Sequence, residues 1–144
     1  MIRQANRHDK TQIIEFMKCF RDESPLKEIF ASNDETQLSN LINNIFAGQG
    51  RIFIKDKVGF FMCVIQPSIW NHETFVLHEI AWYVMPQYRN GTSGYKLLKA
   101  YLDYANELKN NGKIKYYTLS KIASSPHLKY EKLGFRKIDE TWIQ

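Results

Sequence analysis

The sequence has few cysteines and no long hydrophobic run, and both shortages narrow the class of protein. The two cysteines, Cys19 and Cys63, are far apart and lie in apolar surroundings. They form no metal-binding motif, and they favour buried thiols in a reducing compartment over one disulfide. No apolar run is long enough to span a bilayer, and the N-terminal MIRQANRHDK has no hydrophobic signal region. We therefore expect a soluble cytoplasmic protein with no membrane partner.

The charge of the chain is moderately basic. It has 20 Lys and Arg against 15 Asp and Glu, which gives a formal net charge of +5. Such a balance can attract nucleic acid or a ligand with several phosphates. The basic residues are spread along the chain without interleaved aromatics, so a solvated basic surface is favoured over a nucleic-acid interface. The 144 residues are 44% hydrophobic, which suits one domain spanning residues 1–144.

Hydrophobic spacing predicts a mixed α/β domain around one sheet. A short strand at IRQA leads into two helices, for which Asp9 with Gln12 and Ser32 with Glu35 are candidate capping boxes. Gly48 is expected to stop the second helix. Further strands are predicted at 51–54, 58–65, 74–84, 114–120 and 134–143, with a helix after the loop at 86–94 and another at 124–133.

The stretch PQYRNGTSGYKLL, residues 86–98, puts small residues where a strand passes into a helix. The first N–H groups of a helix lack internal partners, and the helix dipole adds partial positive charge there. Gly91 and Gly94 allow close approach to the backbone, Thr92 and Ser93 add hydroxyls, and Arg89 adds a cation. This composition suits a phosphate or pyrophosphate, and a turn that only connects two elements is the alternative. The glycines fit neither a P-loop nor a dinucleotide fingerprint.

Three stretches resemble the GNAT family of N-acetyltransferases. The family motif is Val-x-Pro, then Arg or Gln, two residues, Gly, one residue, and Gly or Ala, followed by paired leucines. This chain has Val84-Met85-Pro86, a loop from Arg89 to Gly94, and Leu97-Leu98. The family's YEKLGF stands intact at 130–135, and its opening IR-x-A-x-x-x-D matches residues 2–9. The resemblance spans nearly the whole chain.

The resemblance implies a fold, a cosubstrate and a binding site. The fold is a mainly antiparallel central sheet flanked by helices, and the cosubstrate is acetyl-CoA, with no metal. Backbone groups between Trp82 and Val84 would pair with the pantetheine arm. The loop would bind the pyrophosphate through Arg89, Asn90, Gly91, Thr92, Ser93 and Gly94. Thr92 occupies the position of the family's first glycine, and we expect Gly91 to relieve the turn instead.

The resemblance also implies catalytic residues. Tyr130 would protonate the leaving thiolate as general acid, although a tyrosine that only anchors a helix is the alternative. Glu79 would act as general base through water. His78 is the competing base on the opposite face of the strand, a bulge would exchange the two, and in a third alternative neither acts. No H-E-x-x-H is present, so we expect no metal at His72, Glu73 and these neighbours.

These observations predict an acetyl-CoA-dependent N-acetyltransferase that acts on a primary amine of a small molecule or a protein. A domain that binds acyl-CoA or a partner without turnover is one alternative. A toxin-like enzyme that acetylates aminoacyl-tRNA is another, motivated by the net charge of +5. The sequence leaves open the acceptor and the oligomeric state, a homodimer included.

Overall fold

One antiparallel sheet and three helices organise the chain. The computed structural model describes residues 1–25, 27–28, 35–121 and 128–144. The strand order is β1-β2-β3-β4. The strands are β1 (Arg3–Gln4), β2 (Gly50–Lys55), β3 (Gly59–Pro67) and β4 (Phe75–Val84), and the helices are α1 (Lys10–Asp22), α2 (Thr36–Asn44) and α3 (Ser93–Asn110). Ser32 of the second candidate capping box and residues 124–127 of the predicted last helix lie outside the described residues.

The β2–β3 hairpin is the centre of the sheet. Its turn uses Lys57 in the left-handed region (φ 65°), and Val58 N–H donates to the Lys55 carbonyl at 2.9 Å. Every residue from Gly59 to Val64 is buried. A strand buried on both faces has no polar alternation, because helices cover both sides of it. The predicted hairpin is confirmed.

The helices cover the two faces of the sheet separately. The first face buries residues of α1 and α2 against the sheet, namely Ile13, Phe16 and Ile42 with Ile52, Phe60 and Met62. The second face buries residues of α3, namely Leu97, Leu98, Tyr101 and Ala105 with Phe53, Phe61 and Cys63. Both cysteines are free thiols. This three-layer arrangement confirms the predicted fold class of a mixed α/β domain with a mainly antiparallel sheet flanked by helices.

The predicted capping role of Asp9 with Gln12 is wrong. The Asp9 carboxylate accepts hydrogen bonds from both terminal nitrogens of Arg3 at 2.8 and 2.7 Å. It also accepts from the backbone of Asn6, whose side chain caps the short 3-10 turn at Arg7–Asp9. A bidentate guanidinium is a stronger partner than a backbone amide, so Arg3 determines the orientation of Asp9. These bonds hold the pKa of Asp9 below its usual value.

The second helix ends as predicted at Gly48. Beyond α2 the chain adds a π-helical turn, Ile45–Gln49, and its backbone leaves helical geometry at Gly48 (φ 113°).

The C-terminus differs from the sequence prediction. In the described part of the C-terminus, Tyr130–Leu133 is a 3-10 turn and residues 134–143 form no strand. Ile138, Trp142 and Ile143 are 67%, 82% and 68% exposed. The strand predicted at 134–143 is therefore wrong, because the described part of the chain gives this segment no strand to pair with.

One remaining segment, residues 114–120, runs parallel to β4. Lys115 N–H donates to the Phe75 carbonyl at 2.8 Å, and Leu77 exchanges bonds with Tyr116 and Thr118 at 3.1 and 2.9 Å. The predicted strand here is therefore extended and paired at its start. None of the described helices combines the length and apolarity that crossing a bilayer requires.

Candidate active site

A β-bulge at Ile80 sets the orientation of the side chains along β4. Cys63 of β3 pairs with Glu79, but the preceding Met62 pairs with Ala81, so Ile80 is an extra residue. Side chains alternate between faces along a strand, and the bulge shifts this alternation by one. Glu79 therefore lies on the α3 face together with Trp82 and Val84.

His78 lies on the opposite face of β4 from Glu79. The bulge comes after both residues, so His78 and Glu79 stay on opposite faces. It puts Glu79, rather than His78, on the same face as Trp82 and Val84. His78 is half-buried, and its Nδ1 lies 2.8 Å from Thr118 Oγ1. Burial lowers the pKa of His78. His72 and Glu73 are in the exposed turn before β4, so these four residues do not converge on one point.

The segment 114–120 and β4 separate at Glu79. After the bonds at Phe75 and Leu77, the N–H of Ser120 donates to the carboxylate of Glu79 instead of to a β4 carbonyl. At this point a bond to a side-chain carboxylate takes the place of the next main-chain hydrogen bond between the two segments. Among the described residues, none pairs with the main chain of the far half of β4 on the side away from β3, and we call this side the open edge.

The backbone groups of Trp82 and Val84 face this open edge. Met85 N–H donates to the Val58 carbonyl at 2.8 Å, and Gly59 pairs with Val84. In an antiparallel pair, neighbouring residues direct their N–H and C=O groups alternately toward and away from the partner strand. The groups of Trp82 and Val84 therefore point away from β3, where an extended ligand can pair with them.

The Glu79 carboxyl group is buried at the base of this opening. Its residue is 8% exposed. Burial raises the pKa of Glu79 to about 7, and the Ser120 N–H opposes that rise. Burial also raises the pKa of the neighbouring Cys63 thiol to about 12, so the thiol stays neutral. A carboxyl group that titrates near neutral pH can accept and release protons in a reaction.

Tyr130 lies close enough to Glu79 for the two groups to interact electrostatically. Its ring is half-buried in the 3-10 turn Tyr130–Leu133. Burial raises the pKa of Tyr130, and the negative charge of Glu79 raises it further. The phenol is therefore a protonated donor at neutral pH. The structure brings the two predicted catalytic residues into one region.

The loop before α3 is packed against the end of β4. A Cβ at Gly94 would lie 3.7 Å from Val84 Cγ2 and 3.9 Å from Trp82 Cζ2. Residues 90–92 are exposed, and Thr92 makes no side-chain capping bond to α3. The loop, the helix start and the open edge of β4 thus form one continuous surface.

Arg89 points toward the strand. Its Nε donates to the Val84 carbonyl at 2.8 Å, and its NH2 donates to Glu23 at 2.9 Å. The guanidinium also lies 5.3 Å from the centre of the Tyr83 ring. In this conformation, Arg89 occupies one of the open backbone groups of β4, and its charge is directed to the end of α1.

Residues 10–135 match the family model described as the Acetyltransferase (GNAT) family. The chain belongs to this family. No curated protein gives a significant match.

Three solved structures share the GNAT fold of this chain along its whole length. An acetyltransferase from Trypanosoma brucei is 21% identical, with a TM-score of 0.67, and the match covers 100% of this chain and 97% of that one. A predicted acetyltransferase from Clostridium acetobutylicum with acetyl-CoA is 18% identical, with a TM-score of 0.67 and coverage of 100% and 94%. An aminoglycoside acetyltransferase from an uncultured soil metagenomic sample, in complex with sisomicin, is 14% identical, with a TM-score of 0.64 and coverage of 100% and 92%.

The departure from the GNAT motif at Thr92 causes no backbone strain. Thr92 has φ −100° and ψ 2°, a negative-φ conformation that residues with a side chain adopt at the third position of type I turns. Gly91 is not among the residues with positive φ, and only the Tyr88 carbonyl, at 3.9 Å, would lie within 4 Å of a Cβ there. The expected compensation by Gly91 is therefore unnecessary.

The sequence analysis missed Lys55 in this GNAT site. Lys55 ends β2, and its Nζ donates to Ser93 Oγ at 3.0 Å. Ser93 is buried, so its hydroxyl faces Lys55 beneath the helix start. No motif marks Lys55; only the register from Lys55 through Gly59 to Val84 brings it to the same end of the sheet.

A cavity of about 700 Å³ lies away from the GNAT site, between the start of β2 and the turn that follows β1. Its walls include Asn6, Phe46, Arg51 and Tyr104, and none of the candidate site residues. The candidate site is the side of β4 at Trp82 and Val84 together with the start of α3 at Gly94, and we call it the donor groove.

Proposed function

We propose that the protein is an acetyl-CoA-dependent N-acetyltransferase that acts on a primary amine. The single observation that carries this proposal is the separation of β4 from residues 114–120 at the buried Glu79 carboxylate. It leaves an open strand edge for an extended acyl donor and puts a titratable group beside it. Family membership supplies the class of reaction.

The donor would lie along the open edge of β4. The backbone groups of Trp82 and Val84 would pair with the amide groups of the pantetheine arm, as a further strand would. The diphosphate would lie at the start of α3, where Gly94 adds no side chain between the loop and β4. The bond from Arg89 to the Val84 carbonyl would be exchanged for one to the arm.

Acetyl transfer then needs two proton movements. The amine nitrogen attacks the thioester carbonyl carbon, a carbon–nitrogen bond forms, and the carbon–sulfur bond breaks. Glu79 accepts the proton from the amine, directly or through one water, because its carboxyl group titrates near pH 7. Tyr130 gives its phenol proton to the sulfur, and it is kept protonated by its raised pKa.

Two structural relatives support the choice of donor and acceptor. The Clostridium acetobutylicum protein is found with acetyl-CoA. The soil metagenomic protein is an aminoglycoside acetyltransferase in complex with sisomicin. We infer the same donor and an amine acceptor for this chain. Intact-mass analysis of amines, peptides and aminoacyl-tRNA after incubation with acetyl-CoA tests the proposal.

A mass increase of one acetyl group on an amine, with matching release of free CoA, is the expected result. Acetyl-CoA binding without release of thiol on any acceptor would instead indicate a binding domain without turnover. Modification confined to aminoacyl-tRNA, with a steep salt dependence of RNA binding, would indicate the tRNA-directed alternative.

We expect Tyr130→Phe to lower turnover by about 10²-fold and to leave CoA affinity nearly unchanged. The substitution keeps the half-buried ring and removes only the hydroxyl that would protonate the thiolate. Calorimetric CoA affinity and turnover should be measured on one preparation. Tyr83→Phe is not a suitable control, because that residue contacts Arg89; Tyr116→Phe, at an exposed ring, is the matched variant. Wild-type turnover in Tyr130→Phe would show that Tyr130 only packs.

A further inference from the structure

Lys55 brings a positive charge to the start of α3 from a different layer of the protein. It is the last residue of β2, and it pairs with Gly59, which pairs with Val84 at the end of β4. The side chains at these three positions belong to the α3 face, which also includes Phe53 and Phe61. Since the middle position is a glycine, no side chain stands between Lys55 and the end of β4.

The Lys55 ammonium is held beside the loop by one hydrogen bond. Its Nζ donates to the Oγ of Ser93, the first residue of α3, at 3.0 Å. Ser93 is 7% exposed, so this contact fixes the ammonium against a buried group. Gly94, which follows Ser93 directly, packs against Trp82 and Val84 in the donor groove.

No carboxylate of the described chain offsets the charge of Lys55. The neighbouring Asp56 pairs with Arg3 at 2.7 Å instead. The start of a helix carries partial positive charge, so a cation there is unfavourable unless an anion is bound. A fixed ammonium next to unpaired helix N–H groups is therefore an arrangement that gains free energy when a phosphate binds.

We propose that Lys55 is a donor-binding residue that makes the site select acyl donors with phosphate groups. The inference rests on the proposed function, because it assigns Lys55 to the phosphate-bearing part of the same donor. The chemistry recognised is a phosphate oxygen, either of the diphosphate or of the 3′-phosphate of CoA. Donors that end at pantetheine would not receive this contact.

Calorimetric binding of four ligands to wild type and Lys55→Met tests this inference. The ligands are CoA, dephospho-CoA, pantetheine and inorganic pyrophosphate. Lys55→Met keeps an unbranched apolar side chain and removes the charge. We expect it to weaken CoA and pyrophosphate by about five- to tenfold and to leave pantetheine unchanged. An equal loss for dephospho-CoA assigns the contact to the diphosphate, and a smaller loss assigns it to the 3′-phosphate.

Lys109→Met is the matched control, since it removes the same charge from the last turn of α3. It should leave all four affinities unchanged. Unchanged CoA affinity in Lys55→Met, or an equal loss for CoA and pantetheine, would overturn the inference. Failure of wild type to bind any phosphorylated ligand would overturn it as well.

Two further measurements separate a phosphate-binding role of Lys55 from a purely structural role and from the proposed acetyl transfer. Lys55→Met relieves repulsion at the helix start but also removes the hydrogen bond to the buried Ser93 hydroxyl, so the melting temperature of the ligand-free variant should stay close to that of wild type. A much lower value with unchanged CoA affinity would make Lys55 a structural residue. If wild type binds pyrophosphate in a Lys55-dependent way but transfers no acetyl group to any amine, the proposed function fails while the phosphate contact stands.

Discussion

Gly94→Glu is expected to abolish CoA binding while the protein remains folded. A Cβ at this position would lie 3.7 Å from Val84 Cγ2 and 3.9 Å from Trp82 Cζ2, so a longer side chain would extend from the edge of the donor groove. Glutamate would fill that groove and add a negative charge where the diphosphate is proposed to lie. Calorimetry with CoA and circular dichroism on the same sample measure binding and folding together.

Gly94→Ala is the control for this substitution. Contacts of 3.7 and 3.9 Å are ordinary van der Waals distances, and Gly94 is not among the glycines with positive φ. Alanine should therefore be accommodated, with a stability equal to or above that of wild type, because glycine is a poor helix former. Wild-type CoA affinity in Gly94→Glu would remove the loop from the donor site.

Glu79→Gln is expected to lower turnover by about 10²- to 10³-fold near pH 7. The wild-type rate should rise with pH through an inflection near pH 7, where the buried carboxyl group loses its proton. The variant should lack this inflection. Its defect should shrink at high pH, because the amine acceptor then loses its proton without a base. A pH–rate profile parallel to that of wild type would exclude Glu79 as the base.

The same substitution should change stability in a pH-dependent way. The folded pKa of Glu79 is raised from 4.5 to about 7, so folding favours the neutral carboxyl group. Its stabilising contribution is complete below about pH 4.5 and is lost as the pH rises through 7. The melting temperature of Glu79→Gln should therefore exceed that of wild type at pH 8 more than at pH 5. His78→Gln, on the other face of the strand, should retain the rate inflection. Because burial lowers the pKa of His78 below its usual 6.5, this variant should lose part of the decline in stability that wild type shows at acidic pH, and should match wild type at pH 8.

The predictable parts of this protein are those with strong local patterns. The β2–β3 hairpin follows from two apolar runs around a short polar turn, and α3 follows from a small-residue loop before a helical apolar stripe. The motif at Val84–Gly94 predicts the donor site from local sequence, and the structure packs its last residue, Gly94, against Val84 and Trp82. The pair Glu79 and Tyr130 came from the family resemblance, and the structure places both in one region.

The unpredicted parts depend on partners that are remote in sequence. Asp9 is oriented by Arg3 and Arg89 by Glu23, and competing hydrogen bonds of this kind leave no periodic pattern. Lys55 reaches the start of α3 only because the sheet register brings β2 to it. The strand expected at 134–143 failed for a related reason, because the residues of one segment cannot show whether a neighbouring strand is present to pair with it.

The bulge at Ile80 links the chain length of β4 to the side chain that shares a face with the donor groove. Glu79 and Trp82 are three positions apart and lie on one face only because Ile80 is an extra residue; in a regular strand of the same length, His78 would share that face instead. Deleting Ile80 would straighten the strand and leave Glu79 and Trp82 two positions apart, still on one face. In a relative whose strand is regular here, the residue that matches Glu79 therefore lies two positions before the one that matches Trp82. An alignment without a one-residue gap at Ile80 would match the wrong residue to the proposed base.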